Sequence, residues 1–306
     1  MSNYWSQYWR QGHLTSFGED IKDNYIGTLK DVWQDVFDTL QATDKVIDIA
    51  TGNGALVKLI YDGRNESEFP FVDAIDLADI QITDELKQQS NKTEFYSRVN
   101  CEKLPFENES TNLIISQFGI EYSNLERSIA EVARVLTTNG TAQFVCHHKE
   151  SIIVKPNLNI LRKSLDLKSK NGGVAIIKKL LNEIQKHGKG SATAERQRNK
   201  LNKYMEMHIK SDEGSFMATN FHLMVRAVMA NLAIPTNYEH IIQSFEKELV
   251  GSIERLSDLG NAALERTFEQ KLVKYCEKHT LNLKEFVPVV NDKNEVLAWK
   301  INLKKY

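Results

Sequence analysis

Between residues 45 and 146, short apolar runs alternate with helical patterns, and this alternation constrains the fold more than any other feature. Short apolar runs bounded by turn residues predict buried strands. Five of them follow in order: Lys45–Ala50, Phe71–Ile75, Glu94–Ser97, Asn112–Ser116 and Thr141–Cys146. Strands that alternate with helices form βαβ units, and these units build a parallel sheet. We therefore expect an α/β protein.

Two helical patterns stand out between these runs. Residues 54–61 predict a helix that begins directly after a glycine loop. The apolar spacing over 125–136 predicts a second helix, and Asn139-Gly140 is a pair that commonly caps the end of a helix. We therefore expect this second helix to end before residue 139 and the fifth strand to begin at Thr141.

The second half of the chain has a different pattern. From about 150 to 283 we find helical stretches and almost no strand signal. Two strand patterns then return, over 285–290 and 295–303, and the tight turn at 291–294 predicts a β-hairpin. The sequence therefore predicts a sheet interrupted by a long helical insertion. Insertions of this length are typical of a lid, a substrate wall or an oligomer surface.

Residues 1–42 are rich in aromatic side chains. Apolar residues recur at every third or fourth position from Ile26 to Leu40, which predicts one amphipathic helix. Before it stand Tyr4, Trp5, Tyr8, Trp9 and Phe17. Two interpretations remain open: a helix packed against the edge of the domain, or a lid over a bound ligand that carries His13 with it.

Composition and charge exclude several classes of protein. The 39 Lys and Arg nearly balance the 41 Asp and Glu, so the chain is neither a globally basic nucleic-acid binder nor an acidic tail protein. Three widely spaced cysteines predict neither a disulfide framework nor a structural zinc site. The first ten residues do not resemble a signal peptide, and no apolar run reaches membrane-spanning length. We expect a cytoplasmic protein without a membrane or metal site.

A glycine loop follows the first predicted strand. It contains Gly52 and Gly54 but Val57 in place of a third glycine, so the G-x-G-x-x-G phosphate fingerprint is not met. The acid Asp48 inside this loop would repel a pyrophosphate, and it suits a ligand with an ammonium or sulfonium charge. The second strand ends in Asp76, where an acid can accept hydrogen bonds from two ribose hydroxyls.

Four segments together resemble the motifs of the class I S-adenosylmethionine-dependent methyltransferases. The glycine loop, D-x-A-x-G-x-G, is similar to their first motif, and Asp76 is similar to the acid at their second strand. Residues 100–106 (NCEKLPF) resemble the family's D-A-x-x-L-P-F segment, which lies against adenine. Residues 131–140 (EVARVLTTNG) resemble its E-x-x-R-V-L-x-P-G-G helix and turn. With the closing hairpin, the resemblance covers a little over half of the chain.

The resemblance implies a Rossmann-like seven-stranded sheet with an antiparallel last strand, and a large helical insertion between strands five and six. The implied domains are an N-terminal aromatic lid segment at 1–42, a cofactor-binding core at 43–149, the insertion at 150–283 and the closing β-hairpin at 284–306. Within the fourth motif, Glu131 and Arg134 are interpreted as a solvated or structural pair.

The resemblance also implies S-adenosylmethionine as the cofactor. The expected cofactor-binding residues are Asp48, Ala50, Gly52, Asn53, Gly54, Asp76, Leu77, Asn100, Cys101 and Gln117. Two positions depart from the family pattern. Ala50 replaces the commonest first glycine, and Asn100 replaces the usual Asp, although its side-chain carbonyl can still accept a hydrogen bond from the adenine amino group.

The methyl acceptor is expected beyond the ends of strands four and five. The expected substrate-lining residues are Tyr4, Trp5, Trp9, His13, Phe118 and Tyr122. The segment after strand four is not the D/N-P-P-Y sequence typical of nucleobase and amide methylation. His147 and His148 end strand five, and alternation turns only one of them toward the pocket. That histidine is either a catalytic base or a structural residue.

Residues 163–210 hold twelve Lys and Arg against four Asp and Glu. Such a stretch can follow a phosphate backbone, but it is more often the solvated face of helices, and aromatic residues that could stack on bases are scarce here. We therefore expect a methyltransferase that acts on an O or N atom of a small molecule or peptide. The insertion could also form the interface of a homodimer. Two other functions remain open: a non-catalytic partner-binding protein of the same fold, and an RNA-modifying enzyme.

Overall fold

The computed structural model describes residues 4–17, 21 and 23–306. Seven strands form one sheet in the order β3-β2-β1-β4-β5-β7-β6. Their bounds are β1 Lys45–Ile49, β2 Phe71–Asp76, β3 Thr93–Ser97, β4 Thr111–Gln117, β5 Leu136–His147, β6 Leu281–Val290 and β7 Val296–Lys305. The first five strands pair in parallel, and β7 pairs antiparallel with both β5 and β6. This confirms the predicted fold class.

The helices are α1 Tyr4–Trp9, α2 Thr28–Asp31, α3 Gln34–Phe37, α4 Ala55–Tyr61, α5 Asp84–Gln89, α6 Leu125–Val135, α7 Val154–Lys168, α8 Gly173–His187, α9 Ala192–Ser211, α10 Glu213–Met217, α11 Phe221–Ala230, α12 Pro235–Ala262 and α13 Phe268–Lys278. Short 3-10 turns occupy Glu66–Glu68 and Ile120–Tyr122. No helix among the described residues is both long and apolar enough to cross a membrane.

The strands at the centre of the sheet are apolar along their length because helices cover both of its faces. In β4, Ile114 and Ile115 point to opposite faces, and neither is accessible to solvent. Ile114 belongs to an apolar cluster with Val132 of α6, and Ile115 belongs to a second cluster with Val57 of α4. A parallel sheet buried on both faces explains why the predicted strands are continuous apolar runs.

The single helix predicted from Ile26 to Leu40 is wrong: two short helices, α2 and α3, replace it. Most of the predicted apolar face is nevertheless covered, because Leu29, Trp33 and Phe37 are all buried, but Ile26 at its start is exposed. The chain turns between the helices, and the Trp33 indole reaches the core, where its Nε1–H donates to Gln117 at the end of β4. The spacing of the apolar residues therefore predicted these three buried side chains, but it did not predict the turn between α2 and α3.

Asn139-Gly140 is not a helix cap. Helix α6 ends at Val135, and β5 begins at the next residue. The pairing of β4 with β5 shifts across residues 137–140, so these residues form an irregularity inside the strand, where Asn139 has φ 66°. Gly140 is needed for space, since a Cβ there would lie 2.9 Å from the Thr137 carbonyl oxygen.

The chain divides into two compact units. The first comprises the described residues up to Val154 and then Leu259–Tyr306, and it contains the sheet. The second, Lys155–Asp258, consists of helices around its own apolar core, which includes Ile177, Leu180 and Phe221. Because this unit lies in sequence between β5 and β6, a helical insertion at this place is confirmed. It is shorter than the predicted 150–283, since residues 259–283 belong to the first unit, where α13 packs against β6.

Several cations of the basic stretch are paired within the second unit. Lys178 contacts Glu246 at 2.7 Å, Lys210 contacts Glu206 at 2.7 Å, and Arg198 pairs with Glu195. Paired, exposed charges of this kind are typical of solvated helix faces. This pattern favours the solvated interpretation of residues 163–210 over nucleic-acid binding.

Candidate active site

A cavity lies beyond the carboxyl ends of β1, β2 and β4, where a parallel sheet places its ligands. It contains about 960 Å³ of empty space, part of which is open to solvent. Seven of the expected cofactor-binding residues line it: Asp48, Ala50, Asp76, Leu77, Asn100, Cys101 and Gln117. The expected Gly52, Asn53 and Gly54 are not among the lining residues. Gly54 has φ +91°, and a Cβ there would lie 2.6 Å from the Leu86 side chain.

The chain turns sharply at the mouth of the cavity, at two neighbouring strand ends. Ala50, after β1, has φ 57°, and Phe118, after β4, has φ 56°. Left-handed backbone at residues other than glycine costs free energy and is concentrated at functional sites. Gly119 follows Phe118 because a Cβ there would lie 2.3 Å from that of Ala50. Glycine adopts a positive φ without strain, which explains why it is the commonest residue at the position of Ala50 in the methyltransferase family that the sequence resembles.

Gly52 and Asn53 hold the loop and the N-terminal segment together. The Gly52 amide donates to Asp76 at 2.9 Å. The Asn53 side-chain amide donates to the backbone carbonyls of Trp9 and His13 at 2.9 and 2.8 Å, and its carbonyl accepts from the Gln81 amide. Asn53 therefore ties α1 and the turn after it to the glycine loop.

Asp48 is buried and only partly satisfied. Its Oδ2 accepts a hydrogen bond from the Thr51 hydroxyl at 2.6 Å, but its Oδ1 is buried without a hydrogen-bond partner. Burial raises the pKa of Asp48 to about 7, although the bond from Thr51 lowers it. An unpaired carboxylate oxygen in this position suits a ligand that carries a positive charge or a hydrogen-bond donor.

Asp76 is the second buried carboxyl. Its Oδ1 accepts from the Ala78 amide at 2.8 Å, and its Oδ2 accepts from Gly52. Burial nevertheless raises the pKa of Asp76 to about 6. Each carboxylate oxygen can accept a further bond, so Asp76 can also bind hydroxyl groups of a ligand. The two acids fit S-adenosylmethionine, which has both cationic groups and ribose hydroxyls.

Asn100 and Cys101 lie in a segment held in place by Glu131 and Arg134. Arg134 donates to the Phe106 and Leu104 carbonyls at 2.7 and 3.0 Å, and Glu131 accepts from the Leu104 amide. The pair is therefore structural. The Asn100 side-chain oxygen accepts from the Glu102 amide at 2.9 Å, a local bond within this segment.

Aromatic rings also line the cavity. This aromatic wall consists of Trp5, Trp9, Tyr25, Phe118 and Tyr122. Trp5 stacks on Trp9 with ring centroids 6.1 Å apart and meets Tyr122 edge-on at 5.9 Å. Four of the expected substrate-lining residues are thus in the wall. Tyr4 and His13 are not among the lining residues, and the His13 ring lies 4.8 Å from that of Tyr8.

His147 is the last residue of β5, and His148 is the residue after it. The His148 ring stacks on Trp299 at 4.2 Å. The His147 ring lies 4.4 Å from Phe118 and 5.8 Å from Tyr122, directly behind the aromatic wall. Neither histidine is among the residues that line the cavity. His147 is the one that contacts its wall.

Sequence reasoning missed two buried groups beside the cavity. Glu121, in the 3-10 turn after β4, bonds His147, and Trp33 bonds Gln117. A single acid inside the apolar run that follows β4 was the one available signal for Glu121. The Trp33 bond had no signal, since its partner is 84 residues away. The described residues contain no cluster that could hold a metal ion.

Residues 47–144 match the sequence model of the methyltransferase domain. No curated protein matches the chain. Among solved structures, the chain is similar to geranyl diphosphate C-methyltransferase from Streptomyces coelicolor A3(2), with 14% identity over 39% of this chain and 42% of that one, and a TM-score of 0.33. It is also similar to phosphoethanolamine N-methyltransferase 1 from Haemonchus contortus, with 15% identity over 48% and 31% of the two chains, and a TM-score of 0.37.

A third similar structure is a putative S-adenosylmethionine-dependent methyltransferase from Listeria monocytogenes, with 18% identity over 40% of this chain and 56% of that one, and a TM-score of 0.30. The chain spans less than two thirds of the length of each of these three proteins. The match of residues 47–144 therefore identifies a methyltransferase domain within the chain.

Proposed function

We propose that the chain is an S-adenosylmethionine-dependent methyltransferase that methylates an O or N atom of a small molecule or peptide. One observation carries this proposal: the same cavity is lined by two buried carboxyls, Asp48 and Asp76, and by the aromatic wall. The two carboxyls would bind the cofactor, and the aromatic wall would contact the acceptor.

The cofactor side uses residues of three strand ends. Bound S-adenosylmethionine supplies a methyl group on a positively charged sulfur, which is already activated for transfer. Asp48 and Asp76 would bind the charged and hydroxylated parts of the cofactor, and Asn100 and Cys101 would lie against its base. The task left to the protein is to position the two reactants and exclude water.

The charge of the cavity limits the acceptor. Among the described lining residues there is no Lys, Arg or His, whereas Asp48, Asp76 and Glu102 are acids. A phosphate or carboxylate on the acceptor would have no positive partner there and would face like charge. The aromatic wall instead favours an acceptor that is flat and apolar, and either uncharged or cationic.

Calorimetry with S-adenosylhomocysteine tests the cofactor half. Asp76→Ala should weaken binding by about 10- to 150-fold, the effect of losing one hydrogen bond to a buried charge. Asp73→Ala is the matched control, because Asp73 is on the same strand but does not line the cavity. Unchanged affinity in Asp76→Ala would contradict the proposal. Binding without methyl transfer to any acceptor would favour the non-catalytic alternative.

A further inference from the structure

The indole of Trp33, between α2 and α3, contacts one of the residues that line the cavity. Its Nε1–H donates to Oε1 of Gln117, the last residue of β4. Trp33 is only 1% exposed, and its ring stacks on that of Phe37 with centroids 5.5 Å apart. The preceding residue is tied to β5, because the Gln143 side-chain amide donates to the Val32 carbonyl at 2.9 Å. The fold alone therefore sets the position of the indole, without any ligand.

The hydrogen bond from Trp33 determines which way the Gln117 amide is turned. An indole N–H can only donate, so the atom that faces it must be the carbonyl oxygen of the amide. The amide nitrogen Nε2 of Gln117 is then left over, and it is buried without a hydrogen-bond partner. A buried donor without a partner costs free energy and is uncommon in folded proteins. Because Gln117 lines the cavity, a bound ligand can supply the missing acceptor.

Gln117 belongs to a polar cluster in the cavity lining, which consists of Ser16, Tyr25, Asp48 and Gln117. Tyr25 is central to it. Burial raises the pKa of Tyr25 above its usual value, the Ser16 and Gln117 side chains lower it, and the charge of Asp48 raises it further. All three side chains are thus close to the Tyr25 hydroxyl. The polar cluster places the neutral donors of Ser16, Tyr25 and Gln117 near one acid.

The polar cluster contains an unpaired acceptor as well as an unpaired donor. Oδ1 of Asp48 and Nε2 of Gln117 are both buried without a hydrogen-bond partner. A group with an ammonium and a carboxylate on the same carbon would pair with both of them, and S-adenosylmethionine ends in such a group. Since the residues found to line the cavity include no Lys, Arg or His, neutral donors must hold this carboxylate. The adjacent ammonium offsets its charge, which an isolated carboxylate on an acceptor would lack.

We infer that Trp33 is a positioning residue for the cofactor: it takes Oε1 of Gln117 and thereby leaves Nε2 to donate to the carboxylate at the amino-acid end of S-adenosylmethionine. This inference rests on the proposed function and deepens it. Trp33 is not among the residues that line the cavity, so it acts only through Gln117. Without the indole, either end of the amide could face the ligand, and its carbonyl oxygen would repel the carboxylate.

The test compares two ligands that differ in one part. S-adenosylhomocysteine has the amino-acid end, whereas methylthioadenosine has the same base and sugar without it. Calorimetry with each ligand is carried out on the full chain and on Trp33→Phe, Gln117→Leu and the double variant. Trp299→Phe is the matched control, because the Trp299 indole also makes a buried hydrogen bond, to the Leu264 carbonyl at 3.0 Å, but does not line the cavity or contact Gln117.

Gln117→Leu should weaken the binding of S-adenosylhomocysteine by about 10- to 150-fold, the effect of losing a hydrogen bond to a charged group. Trp33→Phe keeps the amide but not its orientation, and should weaken binding by about 3- to 10-fold. Adding Trp33→Phe to Gln117→Leu should cost nothing further, since no amide is left to orient. The affinity for methylthioadenosine should stay the same in all of them. Trp299→Phe should lower the melting temperature without changing either affinity.

NMR of the wild type gives a second measurement that does not depend on the folding of a variant. The side-chain amide signals of Gln117 should shift when S-adenosylhomocysteine is added and stay in place with methylthioadenosine. The indole N–H of Trp33 should be protected from hydrogen exchange with and without ligand, because its partner is Gln117 in both states.

Four results would overturn the inference. They are unchanged affinity for S-adenosylhomocysteine in Trp33→Phe, a further loss in the double variant, a Gln117 amide signal that does not respond to S-adenosylhomocysteine, and equal weakening of both ligands. The last result would mean that Trp33 only supports the shape of the cavity. Failure of the proposed function is distinguishable, because the wild type itself would then bind neither ligand.

Discussion

The indole ring of Trp9 lies against Gly52, where a Cβ atom would be only 2.6 Å from the ring carbon Cη2. Gly52 also has φ +57°, a conformation that glycine adopts at no steric cost. The glycine loop thus contacts both the N-terminal segment, at Trp9, and Asp76, through the Gly52 amide. Substitution of Gly52 tests the contact with the N-terminal segment directly.

Gly52→Ala should displace Trp9 and lower the free energy of unfolding by about 2–4 kcal/mol, the sum of backbone strain and overpacking. Gly63→Ala is the matched control, since Gly63 has φ +76° and nothing within 4 Å of the added Cβ. It should cost only about 1 kcal/mol. Urea unfolding of both variants makes the comparison, and equal losses would mean that the Trp9 contact is unimportant.

The stability of the protein without ligand should fall as the pH rises. A buried acid with a raised pKa binds its proton more tightly in the folded state than in the unfolded state. The free energy of unfolding therefore falls as the pH rises from the unfolded pKa, about 4, through the folded pKa. For Asp48 that value is about 7. Asp48→Asn should therefore reduce the loss of stability between pH 5 and pH 8.5 by about 2–3 kcal/mol. Unfolding curves at both pH values would show this, and an unchanged slope would contradict it.

Ala50→Gly should leave the protein as stable as the wild type or stabilise it by up to about 1 kcal/mol, because glycine relieves the left-handed strain at φ 57°. Ala50→Val should instead destabilise it by about 2 kcal/mol or more, since β-branched residues avoid this conformation. Melting temperatures of the two variants measure the difference. A stable Ala50→Val would show that the turn adjusts without strain.

His148→Ala should show that the two adjacent histidines have different roles. Its ring stacks on Trp299 rather than on the aromatic wall, so we expect a loss of about 1 kcal/mol in stability and turnover within about twofold of the wild type. His147→Ala should lower turnover by about 100-fold. The comparison uses thermal unfolding and the release of S-adenosylhomocysteine during turnover, and a 100-fold loss in His148→Ala would place that residue at the reaction.

Strand positions could be predicted because strands buried on both faces are apolar along their whole length. Strand β1 ends one residue earlier than expected and β2 one residue later. The start of β5 was missed by five residues, because the irregularity at 137–140 interrupts the apolar pattern. Helical periodicity identified the buried side chains before β1, but periodicity does not require that the backbone be continuous.

The positions of Asp48 and Asp76 could be predicted from the sequence because both lie at strand ends, and both line the cavity. The contact between Glu121 and His147 could not be predicted. Glu121 and His147 are 26 residues apart and meet only because β4 and β5 are neighbours. No local spacing in the sequence indicates such a pair. That the adjacent His147 and His148 point in opposite directions could be predicted, because side chains alternate along an extended chain.

Asn53 recognises the N-terminal segment through the backbone carbonyls of Trp9 and His13 and not through their side chains. These two hydrogen bonds therefore do not depend on which side chains the segment presents to the cavity. The ring of Trp5 contacts those of Tyr8, Trp9 and Tyr122, so this position can be varied within the wall. A library at this position would change the shape of the cavity wall while the two hydrogen bonds from Asn53 stay in place, so the lining can be altered without detaching the segment.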